Sequence, residues 1–433
     1  MKIAFLTSNT PHYGNARAGS SVQLALALSA AKLGHSISIY LCNASSCVTE
    51  NTKRLLDSMS ITLYEQGNLF PVNQAFEPYP SRVRLKHIAS DINDRSYDKV
   101  ILFWDSKYEF IIPHINTIRV GYLAQPICHA WLTVLAKSLG DTSITAHHNQ
   151  DSDLNIEQQI NKVMTLPESN TKKHVLNALL QQYKHIKNLQ HLDNAYCISR
   201  SSSQWYTKHG ILSCYLPNCW PYYSQEASVN DFIKSGYWYP QESSAALQMG
   251  ASNRTRILAN VGRIDTHTGN IQGLDYLRDH ILPNLIKEVE KGALELIIPG
   301  AGQPLDQHKS ILSDPFVRYV GFVPRFERVL SKSHALLILN NTGIYSAGWT
   351  RCMVAMSRSM PIIAHKSLQA ETPELNNTNC YLFNDLREVL DILRELANAD
   401  QTILARYNQI AQASLSTYRC FFEPTVIVSK LLS

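Results

Sequence analysis

The sequence predicts an α/β chain of two doubly wound, Rossmann-like domains facing across a cleft, and three observations lead there. The chain has 433 residues, more than one hydrophobic core usually supports, so two domains of roughly 200 residues are expected. Short, β-rich apolar runs alternate along its length with longer helical or polar stretches, the pattern of parallel strands buried on both faces. The series breaks near "LPNCWPYY" at 216–223, where two prolines interrupt the periodicity, and then starts again.

In the first half the strands are "KIAFLT" (2–7), "SISIYLC" (36–42), "KVILFW" (99–104), "IRVGYLA" (118–124) and "NAYCIS" (194–199). In the second they are "RILANVG" (256–262), "LELIIPG" ending at Gly300, "VRYVGF" (317–322), "ALLILN" (335–340), "PIIAH" (361–365) and "CYLF" (380–383). Helices are expected after the first strand and over about 274–291, 325–333, 350–358 and 386–398. The domains so defined are 1–215 and 216–412, each Rossmann-like, with a final helical stretch, 413–433, returning to the first domain. In such sheets ligands bind beyond the carboxyl ends of the strands, so the cleft between the domains is the expected site.

Composition narrows the class. With 45% hydrophobic and 17% charged residues this is an ordinary globular chain able to bury a substantial core. The nine cysteines are scattered and odd in number. Neither five-residue spacing, Cys42 to Cys47 or Cys214 to Cys219, makes a C-x-x-C knuckle, so reduced thiols and no metal site are expected. The opening "MKIAFLTSN" is too short for a signal-peptide core, and no window reaches the length of a membrane span. The expectation is a soluble cytoplasmic protein, free or peripheral to the inner face of a membrane. The net charge of +5 lies wholly in residues 1–215, with 20 Lys and Arg against 15 Asp and Glu. That excess is compatible with an anionic partner. Its tightest run, "RVRLKH" at 82–87, reads equally as a solvated helix face.

Both domains open with a loop suited to ligands. After the first strand, Gly14 and Gly19 precede a long amphipathic helix that Ser20 or Ser21 would cap. The spacing is not G-x-G-x-x-G, which argues against a nicotinamide dehydrogenase. In the second half, "NVGRIDTHTGNIQGLDYL" (260–277) is a strand ending on Gly262 and Arg263, then a polar loop, then a helix. Backbone N–H groups and an arginine at a helix start fit a bound anion, and a surface loop with a solvated arginine fits as well. On the acceptor side, Asp105 ends "VILFWD" and His129 follows "AQPIC", both at strand carboxyl ends. Each is a candidate catalytic contact, or a helix cap and a surface histidine respectively. His12 in the first loop is a weaker candidate.

The ordered segments "ANVGRIDTHTGNIQGLDYL", "LELIIPGAGQP", "VRYVGFVPRFERVLSKSHALLILNN" and "GWTRCMVAMSRSMPIIAH", preceded by "YCISRSSSQWYTKHGILSCYLPN", resemble the C-terminal half of retaining GT-B glycosyltransferases of group 1, the family-four type. The resemblance covers about 195–415 and the Rossmann-like start. It implies transfer of a sugar from a nucleotide-diphosphate sugar, most simply a UDP-sugar, with no tightly bound cofactor. It places Arg263, beside Gly262, on the donor diphosphate, and puts Gln272 where the family has a lysine. It assigns the helix start at Ser346, Gly348, Trp349, Thr350 and Arg351 to the phosphates, and the nucleobase to "YVGFV" (319–323) with Gly321 and Phe322. The sequence departs from the family at Ser346 and Val354, where paired glutamates would stand. A faint similarity to phage-type DNA α-glucosyltransferases runs through "TIRVGYLAQPICHAWLTVLAKSLGD" and "YRCFFEPTVIVSKLL". The acceptor implied is a cell-surface glycan, a lipid-linked saccharide or a modified DNA base. The other readings are a nucleotide-sugar epimerase of the same fold and a non-catalytic nucleotide-sugar-binding protein.

Overall fold

The computed structural model describes the chain except residues 9, 12–17, 42–47, 66–81, 105–108, 125–155, 166–167, 169, 221–253, 260–261, 266–267, 291, 324–326, 331 and 341–348. It divides into two compact units. One comprises the first strand, Gly19–Pro217 and Ile427–Ser433, and the other is built on Asn218–Val426.

The first unit carries β1 (Lys2–Thr7), β2 (Ser36–Leu41), β3 (Thr62–Glu65), β4 (Lys99–Phe103), β5 (Ile118–Leu123), β6 (Asn194–Cys197) and β7 (Ser213–Tyr215). They pair in parallel in the order β3-β2-β1-β4-β5-β6-β7. The central strands are apolar along their whole length because helices cover both faces: Ile3 to Leu6 and Val100 to Phe103 are fully buried. The second unit carries β8 (Thr255–Ala259), β9 (Gly262–Arg263), β10 (Leu294–Ala301), β11 (Val317–Gly321), β12 (Ala335–Ile338), β13 (Ile362–His365) and β14 (Tyr381–Phe383). Its order is β11-β10-β8-β12-β13-β14, again parallel, with β9 added beside β10. Both sheets thus run outward in two directions from their first strand. This doubly wound order reverses between β1 and β4 in one unit and between β8 and β12 in the other. A sheet of this kind opens a crevice at the carboxyl end of that reversal.

Several expectations change in detail. The helix after β1, Ala18–Lys32, is buried on every side from Val22 to Ala30 instead of amphipathic. Gly19, Ser20 and Ser21 lie inside its first turn, so neither serine is the cap. The helix expected at 274–291 begins at Thr268, and its ladder loosens into a π turn at Leu277–Ile281 before resuming as Leu282–Glu288. Pro283, at the start of that last segment, has no N–H to give the preceding turn, which accounts for the break. The basic run at 82–87 opens the helix Arg82–Asp94, which exposes Lys86 and His87 and buries Ile88 and Ile92. The chain closes with Gln401–Thr417, a π turn at Tyr418–Phe422, and Pro424–Leu432. Within the first unit the Lys99 ammonium, from buried β4, donates to the Leu432 carbonyl at 2.8 Å. Among the described residues no helix is long and apolar enough to cross a membrane.

Candidate functional site

The reversal point of the second sheet is where the structure concentrates polar side chains. Beyond β8 the chain turns at Gly262, whose φ of +130° is left-handed, a region that costs a side chain strain and glycine little. A Cβ there would stand 2.6 Å from the Asn270 Nδ2 and 2.9 Å from an Arg351 guanidinium nitrogen. Only glycine lets these two side chains approach the turn. Gly262 and Arg263 then pair as β9 with Gly300 and Ala301 of β10, so the turn is fixed from both sides.

Asn270, in the first turn of the helix Thr268–Tyr276, is fully buried. Its amide donates to the Arg263 carbonyl at 2.5 Å. Its oxygen accepts from Arg351 at 2.7 Å and from the amide of buried Asn340, which follows β12. Arg351 belongs to the first turn of the helix Trp349–Met356. There Thr350 Oγ1 accepts from the Asn218 amide at 2.8 Å, tying that helix to the segment that enters the unit.

The Arg263 side chain is 60% exposed, and its fork grips Asp265, Nε to Oδ1 at 3.0 Å and NH2 to Oδ2 at 2.7 Å. That hydrogen-bonded pairing raises the guanidinium pKa further, so the group stays cationic at every accessible pH. Gly302, also left-handed at φ +94°, leaves room for the Asp265 carboxylate, which any Cβ there would strike. On the neighbouring β11, the Tyr319 hydroxyl faces the Gly302 carbonyl at 3.5 Å, and burial raises the phenol's pKa. Gly321 has φ +66° with open space about it, and the Phe322 ring is 72% exposed.

Of the residues singled out from sequence, Gly262, Arg263, Thr350 and Arg351 thus gather at the reversal of the second sheet. Gly321 and Phe322 stand at the carboxyl end of β11 on the same sheet. Gln272 lies within the helix and not on the loop before it, and its Oε1 is buried with no hydrogen-bond partner among the described residues. Val354, on the helix Trp349–Met356, is buried. Gly19 belongs to the first unit, in its first helix. Asp105, His129, His12, Gly14, Ser346 and Gly348 lie outside the described residues, and of Trp349 only the backbone is described. Sequence reading missed Asn270, Asn340, Asp265, Gly302 and Asn218. The one local signal among them was Asp265, two residues beyond Arg263.

Chemically, the arrangement offers an anion a glycine turn closely approached by side chains, an exposed guanidinium whose Nε–NH2 edge is held by Asp265, and a second guanidinium at a helix start. Guanidinium groups and helix starts are parts that bind phosphates. No protein-family model and no curated protein matches the sequence. Solved structures match over the full chain. The Anabaena protein HepE in complex with UDP superposes with a TM-score of 0.54 at 13% identity, covering 100% of this chain and 98% of that one. HepE with UDP-glucose gives 0.53 at 12% over the same shares. A glycosyltransferase from Rickettsia africae gives 0.57 at 13%, covering 100% and 96%, and sucrose-phosphate synthase from Thermosynechococcus elongatus 0.56 at 13%, covering 99% and 96%. The chain has the GT-B fold. In this GT-B chain, the Asn270 cluster occupies the crevice position of the C-terminal unit, the place where doubly wound sheets hold ligands.

Proposed function

We propose that the chain is a glycosyltransferase that moves a sugar from a nucleotide-diphosphate sugar, in the first place a UDP-sugar, to an acceptor hydroxyl with retention. The observation that carries this reading is the Gly262–Arg263 turn, braced against Arg351 at the reversal of the C-terminal sheet. It is supported by the full-length likeness to a glycosyltransferase structure and to HepE in complex with UDP-glucose. Arg263 and the Thr350–Arg351 helix start receive the diphosphate, while Gly321 and the exposed Phe322 ring receive the base.

In the reaction the bond from the sugar C1 to the β-phosphate oxygen breaks and a bond from C1 to the acceptor oxygen forms on the same face. The acceptor proton passes to an oxygen of the departing diphosphate. Negative charge grows on that diphosphate as the bond breaks, so guanidinium groups fixed beside it stabilise the transition state more than the bound donor. Asp105 and His129 are the acceptor-side groups of this proposal, and Gly14 and Gly19 are assigned to the nucleotide sugar.

The first test is binding. UDP, GDP and CDP at millimolar concentration are compared by thermal shift, and a ligand at 100 times its Kd adds about 2.7 kcal/mol of stability. UDP is expected to bind best, and a protein that binds none of the three is not a nucleotide-sugar enzyme. Hydrolysis of a panel of sugar nucleotides then identifies the donor. The same reaction with duplex DNA carrying hydroxymethylated cytosine, with glycans and with lipid-linked saccharides identifies the acceptor. Affinity for DNA would fall steeply with salt, whereas affinity for a neutral glycan would not.

A further inference from the structure

Asn270 joins the turn just before its own helix to two residues 70 and 81 positions further along the chain. Its carboxamide has two N–H donors and one acceptor oxygen. One donor goes to the Arg263 carbonyl in the turn after β8, and the oxygen receives both Asn340 at the end of β12 and Arg351 on the helix Trp349–Met356. All this takes place with the side chain fully buried, where hydrogen bonds are strong and mismatches are costly. The left-handed Gly262 provides the space in which Asn270 and Arg351 meet the turn.

The chemistry of the residue type is selective. An ionised aspartate would accept the same bond from Arg351 but would offset its charge, and it has no proton for the Arg263 carbonyl. A serine is too short to reach all three partners, and glutamine is one methylene too long for the space beside Gly262. Asparagine alone aims the guanidinium and pins the turn while adding no negative charge.

We propose that Asn270 is the positioning residue of the diphosphate site, orienting Arg351 and the Gly262–Arg263 turn toward the phosphates while leaving the positive charge of the site intact. This rests on the nucleotide-sugar reading and deepens it, since it assigns the buried amide, which touches no phosphate itself, to recognition of the diphosphate and not of the nucleoside.

The test compares UDP with uridine, which lacks the phosphates, in the full-length parent and in Asn270→Asp and Asn270→Ser. Affinities are read by calorimetry or ligand-observed NMR, and melting is read without ligand. The affinity gain of UDP over uridine should fall at least tenfold in both variants, and further in Asn270→Asp, while uridine affinity stays within threefold of the parent. A brace with no role in phosphate recognition would lower melting and leave the UDP-to-uridine ratio within twofold, which overturns the proposal. If Asn270→Asp does not fold, Asn270→Ser alone carries the comparison. Inorganic pyrophosphate separates the two readings. A parent that binds pyrophosphate but not UDP removes the nucleotide reading and leaves Asn270 to be tested on pyrophosphate in the same variants. A parent that binds neither overturns both.

Discussion

Arg263 and Gly262 act at one turn by different physical means, and substitution separates them. Arg263 is exposed and paired with Asp265, so removing it should barely disturb folding. If it stabilises the leaving diphosphate, Arg263→Ala should lower kcat/KM by about two to three orders of magnitude, as loss of one oriented donor does. Arg263→Lys should be impaired as well, because a single ammonium cannot reproduce the fork. A variant that melts like the parent and transfers sugar at the parental rate would move the phosphate site to Arg351. Gly262→Ala should behave in the opposite way. Its Cβ has no room beside Asn270 and Arg351, and left-handed strain alone costs about 1–3 kcal/mol, so the melting temperature should fall together with UDP affinity. The Gly-Arg pair was legible in the sequence because it follows an apolar run, although β8 ends at Ala259 and the pair forms a short strand of its own. The amide cluster was not, since Asn340 and Arg351 lie 70 and 81 residues beyond Asn270, and an isolated asparagine reads as ordinary helix or loop polarity.

At the scale of elements, the long apolar runs gave away the central strands, and the edges escaped. β3 ("TLYE") and β7 ("SCY") form the outer strands of their sheet, where one side meets no further strand among the described residues and the apolar signal thins. β9 is two residues, one of them glycine, below any periodicity. Where β8 and β12 pair, a histidine adds to the strand ladder at its start. Buried His334 accepts the Arg256 N–H on Nδ1 at 2.8 Å, and its carbonyl accepts from the Tyr407 hydroxyl at 2.6 Å. Burial, reinforced by the charge of Arg256, lowers the imidazole pKa from 6.5 to about 4. A depressed pKa means that the folded state holds this histidine neutral while the unfolded chain takes up a proton. Its contribution is therefore complete above about pH 6.5 and is lost as pH falls toward 4, a swing on the order of 3 kcal/mol. His334→Asn keeps an acceptor near the Nδ1 position and does not titrate. Urea midpoints measured at pH 7 and pH 4.5 should therefore differ less in the variant than in the parent. Equal acid sensitivity would place the titration elsewhere.

Over the whole molecule, the two doubly wound sheets were legible because each repeats the alternation of short apolar strand and longer covering helix. For the closing segment the sequence leads to a helical stretch over 413–433 returning to the first domain; in the structure the residues from Ile427, within "PTVIVSKLL", belong to the first unit. Ile427, Val428 and Leu431 are buried there, and the Leu432 carbonyl receives the ammonium of Lys99. Burial lowers the pKa of that lysine, so the acceptor matters: a buried cation without one is costly. Removing 427–433 should therefore do more than shorten the chain, since it uncovers a set of apolar side chains and strips Lys99 of its partner at the same time. Thermal unfolding of the truncated chain should show a lower first transition. Adding Lys99→Met to the truncation should recover part of the loss, because it replaces the stranded ammonium by an apolar side chain of similar length. A truncated chain that melts like the parent would mean that the first unit holds together without its last seven residues. If Lys99→Met brings no recovery, the uncovered apolar side chains, and not the lysine, set the loss.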